Sequence, residues 1–103
     1  MYRVKVTKKF KESLEKIRNN TVKRRILEKV IELTDNPKNK GKLLKGYWRV
    51  KFCENIIEVR LWELRIGDWR VIFYINHEQK EVWLLYVNHR HRIFKRKSFF
   101  RIP

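Results

Sequence analysis

The residues with the clearest chemical potential sit in one stretch, Leu61-Trp-Glu-Leu-Arg-Ile-Gly-Asp-Trp-Arg-Val-Ile-Phe-Tyr-Ile. A Gly-Asp pair between two alternating apolar runs signals a two-residue hairpin loop. If Gly67 and Asp68 form that loop, Ile66 pairs with Trp69 and Arg65 lies directly opposite Arg70. Glu63 then falls two residues along on the same face. Like charges facing each other across a strand pair cost on the order of 0.2 to 1 kcal/mol. Such a pair therefore suits a site where an anion sits between two guanidiniums. The competing reading is that Glu63 or Asp68 neutralises the pair as an ordinary surface ion cluster, and the residues alone leave both readings open.

A second basic group follows Trp83-Leu-Leu-Tyr-Val, in Asn88-His-Arg-His-Arg-Ile-Phe-Lys. Its face depends on the length of the preceding turn, because a slip of one residue turns every side chain over. A five-residue loop over 77–81 would pair Asn76 with Val82 and bring Asn88 and Arg90 to the Arg70 face. His89 is a candidate proton-transfer group or a solvated strand-end residue, and His77 and His91 read as loop and rim. The histidines lack the carboxylate or cysteine partners of a metal centre, so no metal site and no cofactor is expected.

These residues need elements to hold them. Tyr2, Val4 and Val6 alternate with polar residues, which predicts a strand over 2–7 with one apolar face. Phe10, Leu14 and Ile17 have helical spacing from Lys8 to about Arg18, and Asn19-Asn20 break it. Thr21 reads as the N-cap of a second helix with the stripe Val22, Ile26, Leu27, Val30, Leu33 and Thr34, ended by Asn36-Pro37. Lys38 to Gly46, with Lys42 and Lys45, reads as a flexible basic loop facing a partner. Strands are expected over Tyr47–Cys53, Ile56–Ile66, Trp69–Asn76 and Val82–His89. The segment after His89 should be a short helix or an extended arm. The four tryptophans lie in alternating strands where large rings pack against helices, so about one of them is expected at the surface. The fold class is α+β: an N-terminal strand and a helical hairpin packed on an antiparallel meander, with an extra hairpin within Tyr47 to Val59.

At 103 residues the chain suits one domain, with a basic segment over 90–103. Lys and Arg number 27 against 11 Asp and Glu, a formal charge of +16. That surplus makes an anionic polymer, nucleic acid first, the default partner, against the blander reading of a heavily solvated ionic surface. No acid follows Glu81, whereas Arg90, Arg92, Lys95, Arg96, Lys97 and Arg101 crowd the end. Cys53 is the sole cysteine and reads as a small strand residue, which excludes a disulfide framework and suits a reducing cytoplasm. No apolar run reaches membrane-span length, and the chain opens in a strand pattern instead of a signal peptide, so a cytoplasmic protein without a membrane partner is expected.

The order of strand, two helices, basic loop and meander, with the two motifs quoted above, resembles the RelE/ParE toxin superfamily, particularly archaeal RelE-like members, from Tyr2 to about Arg96. The resemblance implies a toxin of a type II toxin–antitoxin system. It would cleave mRNA, presented by the ribosome and its rRNA, through metal-independent attack of a ribose 2′-hydroxyl on the adjacent phosphate. An acidic antitoxin protein would be its other partner. The family's arginine after the hairpin glycine falls on Arg70, its arginine at the end of the last strand on Arg90, and a basic position of the preceding strand on Arg65. Arg70 and Arg90 would hold the phosphate as guanidinium forks. Glu63 and His89 would move protons, and Lys42, Lys45, Arg92, Lys95, Arg96 and Lys97 would bind RNA. Leu61 and Glu63 stand where the best-known ribosome-dependent member has lysines, and Phe94 stands at the family's tyrosine position without a transferable proton. On this scheme Arg70→Ala should silence activity and leave the fold intact. The alternatives are a ParE-like inhibitor of DNA gyrase and a non-catalytic nucleic-acid-binding module with tryptophans as stacking platforms.

Overall fold

The computed structural model describes residues 1–52, 55–94 and 99–101. The chain forms β1 (Arg3–Val6), α1 (Lys8–Glu15) and α2 (Asn20–Ile31), which tightens into a 3₁₀ turn over Glu32–Thr34. Then come α3 (Pro37–Lys40), β2 (Lys42–Leu43), β3 (Trp48–Phe52), β4 (Asn55–Val59), β5 (Trp62–Ile66), β6 (Trp69–Asn76), β7 (Glu81–His89) and β8 (Phe99–Arg101).

Both long helices start on side-chain caps. Thr7 Oγ1 accepts the Phe10 amide at 3.1 Å and donates to the Leu84 carbonyl at 2.8 Å, so the α1 cap also ties the helix to β7. Asn19, not the expected Thr21, caps α2: its Oδ1 accepts the amides of Thr21 and Val22. Asparagine is at least as good a cap as threonine, and the chain needs no extra residues after α1 ends. The buried face of α2 is Ile26 and Val30, continued by Leu33. Leu27, expected in the stripe, is 44% exposed, because one residue on from Ile26 turns a side chain about 100° around the helix. Val6 is likewise exposed.

The expected flexible loop after Pro37 is ordered structure. Asn36 adopts a left-handed φ of 52°, and Pro37 begins α3 with its ring already at helical φ. Gly41 then lets the backbone pass so close to Phe73 that a Cβ there would stand 2.6 Å from Phe73 Cζ. This approach seats β2 beside β5, with Lys42 opposite Glu63.

The strands form a five-stranded sheet in the order β1-β7-β6-β5-β2 and a three-stranded sheet in the order β4-β3-β8. The single strand expected over Ile56–Ile66 is thus two strands in different sheets, with the buried Leu61 at the crossing. β1 joins β7 in parallel, while the other pairs are antiparallel. The helices cover one face of the large sheet and bury Phe10, Ile26 and Leu33 against Val71, Phe73 and Leu84. On the other face, Val50, Leu61, Ile72, Leu85, Tyr86 and Ile93 form a second core beneath the small sheet. None of the four tryptophans is exposed: Trp62 and Trp69 pack on the first core, Trp48 and Trp83 on the second.

The β6–β7 turn is one residue shorter than expected, since Asn76 pairs with Glu81 instead of Val82. Lys80 takes a left-handed φ of 53°, and Asn76 Oδ1 accepts the Gln79 amide, which closes a four-residue loop. A bulge then inserts Leu85 between Leu84, opposite Phe73, and Tyr86, opposite Ile72. The extra residue restores the expected register beyond it, and Arg70 pairs with Asn88. After β7 the chain turns over 90–94, burying Ile93, and β8 later pairs with β3 in extended form rather than as a helix. No helix among the described residues is long and apolar enough to cross a membrane. Cys53 lies outside the described residues.

Candidate functional site

The β5–β6 hairpin turns on Gly67-Asp68, with Gly67 at φ 59°, as a loop with glycine in its first position requires. Ile66 pairs with Trp69 and Arg65 with Arg70, so the arginines stand face to face as the spacing predicts. Asn88 extends them into a row across three strands, Arg65–Arg70–Asn88. The neighbouring row is Lys42–Glu63–Ile72–Tyr86. Alternation puts both rows on the face that carries the second core, away from the helices.

Glu63 holds the two arginines together. Its Oε1 accepts Arg65 Nε at 3.1 Å and lies 3.8 Å from Arg70 Nε. The Glu63 side chain is 8% exposed, Arg70 12% and Arg65 56%. Arg70 is largely committed to the hairpin, where its Nη1 donates to the Gly67 carbonyl at 2.7 Å and the Trp69 carbonyl at 2.9 Å. The ion-cluster reading therefore describes this pair at rest, but one carboxylate against two guanidiniums leaves a positive charge. The exposed fork of Arg65 is where an anion can meet it.

Arg90 does not continue the row. β7 ends at His89, and Arg90 enters the turn, where its amide donates to the Asp68 carbonyl at 2.8 Å and its Nε stands 3.6 Å from Asp68 Oδ1. It is half exposed at the hairpin tip, around the sheet's end from Arg65. His89 pairs with Trp69 and so faces the helices, opposite to Arg70 and Glu63. Successive strand residues point to opposite faces, so the register that brings Asn88 beside Arg70 turns His89 away. Phe94, at the expected tyrosine position, stacks on Trp48 with ring centroids 5.5 Å apart. Lys42 lies on β2, Lys45 is exposed between β2 and β3, and Arg92 is exposed in the turn after β7. Lys95, Arg96 and Lys97 lie outside the described residues.

Two further residues join the site without having been singled out. Tyr86 takes its place because the bulge at Leu85 shifts it onto the arginine face, where its hydroxyl accepts Asn88 Nδ2 at 2.8 Å. Arg25, from α2, reaches the hairpin tip: a Cβ on Gly67 would stand 3.7 Å from its Nη1. Tyr86 was within reach of the sequence, since it lies two residues before Asn88 in the expected register, whereas Arg25 depends on helix-to-sheet packing that no local pattern shows. The titrating groups that shift are at the other end of β6. Burial, with Glu78 and Glu81 adding to it, pushes the Tyr74 hydroxyl up, and burial together with Lys38 pushes His77 down. Among the described residues, no three His, Cys, Asp or Glu side chains gather as a metal centre.

A family model for the ParE toxin of the type II toxin–antitoxin system parDE matches residues 4–94. No curated protein sequence matches the chain significantly. Among solved structures, the fold is similar to that of the RelBE2 toxin–antitoxin complex of Mycobacterium tuberculosis, with a TM-score of 0.65, 23% identity, and coverage of 86% of this chain and 98% of that one. It is similar to the archaeal RelE–RelB complex of Pyrococcus horikoshii, with a TM-score of 0.63, 27% identity, and coverage of 88% and 97%. The isolated RelE toxin of E. coli gives a TM-score of 0.64 at 15% identity, covering 86% of this chain and 84% of that one. With the helical hairpin on one face of the sheet and the paired arginines on the other, this chain belongs to the ParE toxin family of type II toxin–antitoxin systems, within the RelE/ParE superfamily.

Proposed function

We propose that this toxin cleaves mRNA on the ribosome and that its arginine face binds the scissile phosphate. The observation that carries the reading is the Arg65–Arg70 pair around a single buried carboxylate, with Arg90 at the adjacent hairpin tip. The 2′-oxygen attacks phosphorus, the bond to the 5′-oxygen breaks, and a 2′,3′-cyclic phosphate and a 5′-hydroxyl result. The forks of Arg65 and Arg90 stabilise the crowded phosphorane, and Arg70 fixes the hairpin that carries them. Glu63, paired with Arg65 and Arg70, orients those two. Because His89 faces the helices and Phe94 lies on Trp48, orientation and charge stabilisation supply the rate, with water accepting and returning the protons. The reading involves no cofactor. As in the complexes from M. tuberculosis and P. horikoshii, an antitoxin would be the other partner, here an acidic segment that covers the arginine face.

The second reading is a gyrase-directed toxin without chemistry. It is favoured by the match to the ParE family model and by His89 facing the helices, away from the arginines. Primer extension on mRNA, free and on translating ribosomes, tests the first reading, with a gyrase supercoiling assay run in parallel. Cuts by the wild type that weaken about 10² to 10³-fold in Arg65→Ala, as for the loss of one transition-state donor, support cleavage. No cuts, with supercoiling blocked, would replace it by the gyrase reading.

A further inference from the structure

Along the end of β7, where α1 packs on the large sheet, the two elements border a groove of about 870 Å³ that Trp69, Tyr86 and Asn88 also line. Ile17 and Val87 are buried there, and Ser13 between them is satisfied, with its Oγ accepting the Val87 amide at 3.1 Å and donating to the Phe10 carbonyl at 2.9 Å. One wall is aromatic. His89 meets Trp69 edge to face at 5.7 Å, and His91 overlies His89 at 5.0 Å with a tilt of 32°. The His91 amide points at His89 Nδ1, so a neutral His89 ring carries its proton on Nε2. Lys9, Lys16 and Arg92 supply cations around the groove, and Glu12 and Glu15 supply acceptors.

We infer that this groove is a nucleobase subsite for single-stranded RNA, taking the base next to the phosphate held by the arginines. The inference rests on the reading that the arginine face engages RNA. β7 joins the two sites: Asn88 pairs with Arg70 and also lines the groove, His89 lines it from the next position, and Arg90 stands just past the strand end. A strand held at Arg65 and Arg90 need only pass the end of β7 to bring its next base to the groove. A planar heteroaromatic ring finds imidazole faces to stack on there, as bases do on aromatic side chains in single-strand recognition. The carboxylates can accept a base's amino or imino N–H groups, and the cations meet the flanking phosphates. The arrangement gives His89 and His91 a role in binding that does not require them on the face of Glu63.

A binding cycle tests this without any cleavage. Short 2′-O-methyl oligoribonucleotides, which lack the attacking hydroxyl, are compared with strands carrying one abasic position, against wild type and His89→Ala/His91→Ala. The expected result is that wild type prefers the intact strand by on the order of tenfold, the contribution of about one stacked base, and that the double variant loses the preference. Imidazole resonances of the wild type should shift with the intact strand and not with the abasic one, which keeps the test valid if the double variant folds poorly. Equal binding of both strands by wild type would overturn the inference, as would an undiminished preference in the variant. A groove that responds to an added protein partner but to no oligonucleotide would overturn it too. Base-dependent binding by a protein that makes no cuts on ribosomes would sink the cleavage reading and leave the subsite standing.

Discussion

Sharing one carboxylate divides Arg65 and Arg70 into different roles. Arg65 is mostly in solvent, so Arg65→Ala should change stability by no more than about 0.5 kcal/mol. Arg70→Ala removes two charge-assisted bonds to the hairpin carbonyls and should cost on the order of 2 kcal/mol. Urea melts of the two variants check the difference, and equal midpoints would contradict it. Arg70→Ala is therefore expected to lower stability as well as activity, and Arg65→Ala is the cleaner probe of activity. Glu63→Gln keeps an acceptor for Arg65 and removes the competing charge. It should bind short RNA more tightly than wild type in anisotropy titrations while unfolding at lower urea. The arginine pair was legible because Gly67-Asp68 fixes its register within six residues, Arg65 to Arg70. A proton-transfer role for His89 beside Glu63 conflicts with the same alternation, which turns His89 away once Asn88 is placed beside Arg70. Phe94 was beyond sequence reasoning, since its surroundings come from Trp48 on the second sheet.

Among the elements, connections are where sequence and structure part. The loop length of β6–β7 was off by one and the bulge at Leu85 corrected it, so the site end of the sheet was right for a reason that no periodicity shows. The segment after Pro37 looked like a basic loop because its apolar anchor is another element's Phe73 and only Gly41 admits the approach. Gly41→Ala should force β2 or the buried ring to shift and destabilise by about 1 to 3 kcal/mol, as overpacking does. A variant with an unchanged denaturation midpoint would show that the approach is not tight. The β6–β7 turn is tied to the start of β1, with Tyr2 Oη 3.3 Å from His77 Nδ1. The fold holds His77 below its ordinary 6.5, first through burial and then through Lys38. The unfolded chain thus takes up this proton more readily. The corresponding stability is complete above pH 6.5 and falls as pH drops through 6.5 toward the lowered value. His77→Gln should remove that part of the acid loss, seen as a smaller change in thermal midpoint between neutral and mildly acidic buffer.

For the molecule as a whole, a formal charge of +16 on 103 residues opposes compaction and attracts polyanions. Single-stranded RNA should bind with a steep salt dependence, and Arg65→Ala should flatten the plot of log K against log salt by about 0.7, the share of one phosphate contact. An unchanged slope would mean that Arg65 touches no phosphate. Composition announced this field, whereas the division of the molecule into two sheets and two cores was hidden, because the break at Arg60-Leu61 sits inside an unbroken strand-like run. The parallel pairing of β1 with β7 has a consequence for how the molecule is made. Arg3 faces Glu81 across a separation of 78 residues, so the edge of the large sheet cannot close until nearly the whole of it has been synthesised. Contacts of that range are formed slowly and late. During translation the helical hairpin can emerge and wait, but Asn88 and the end of β7 reach the arginines only after the rest of the sheet has left the ribosome. The arginine face is therefore completed only after the other strands of the large sheet are in place.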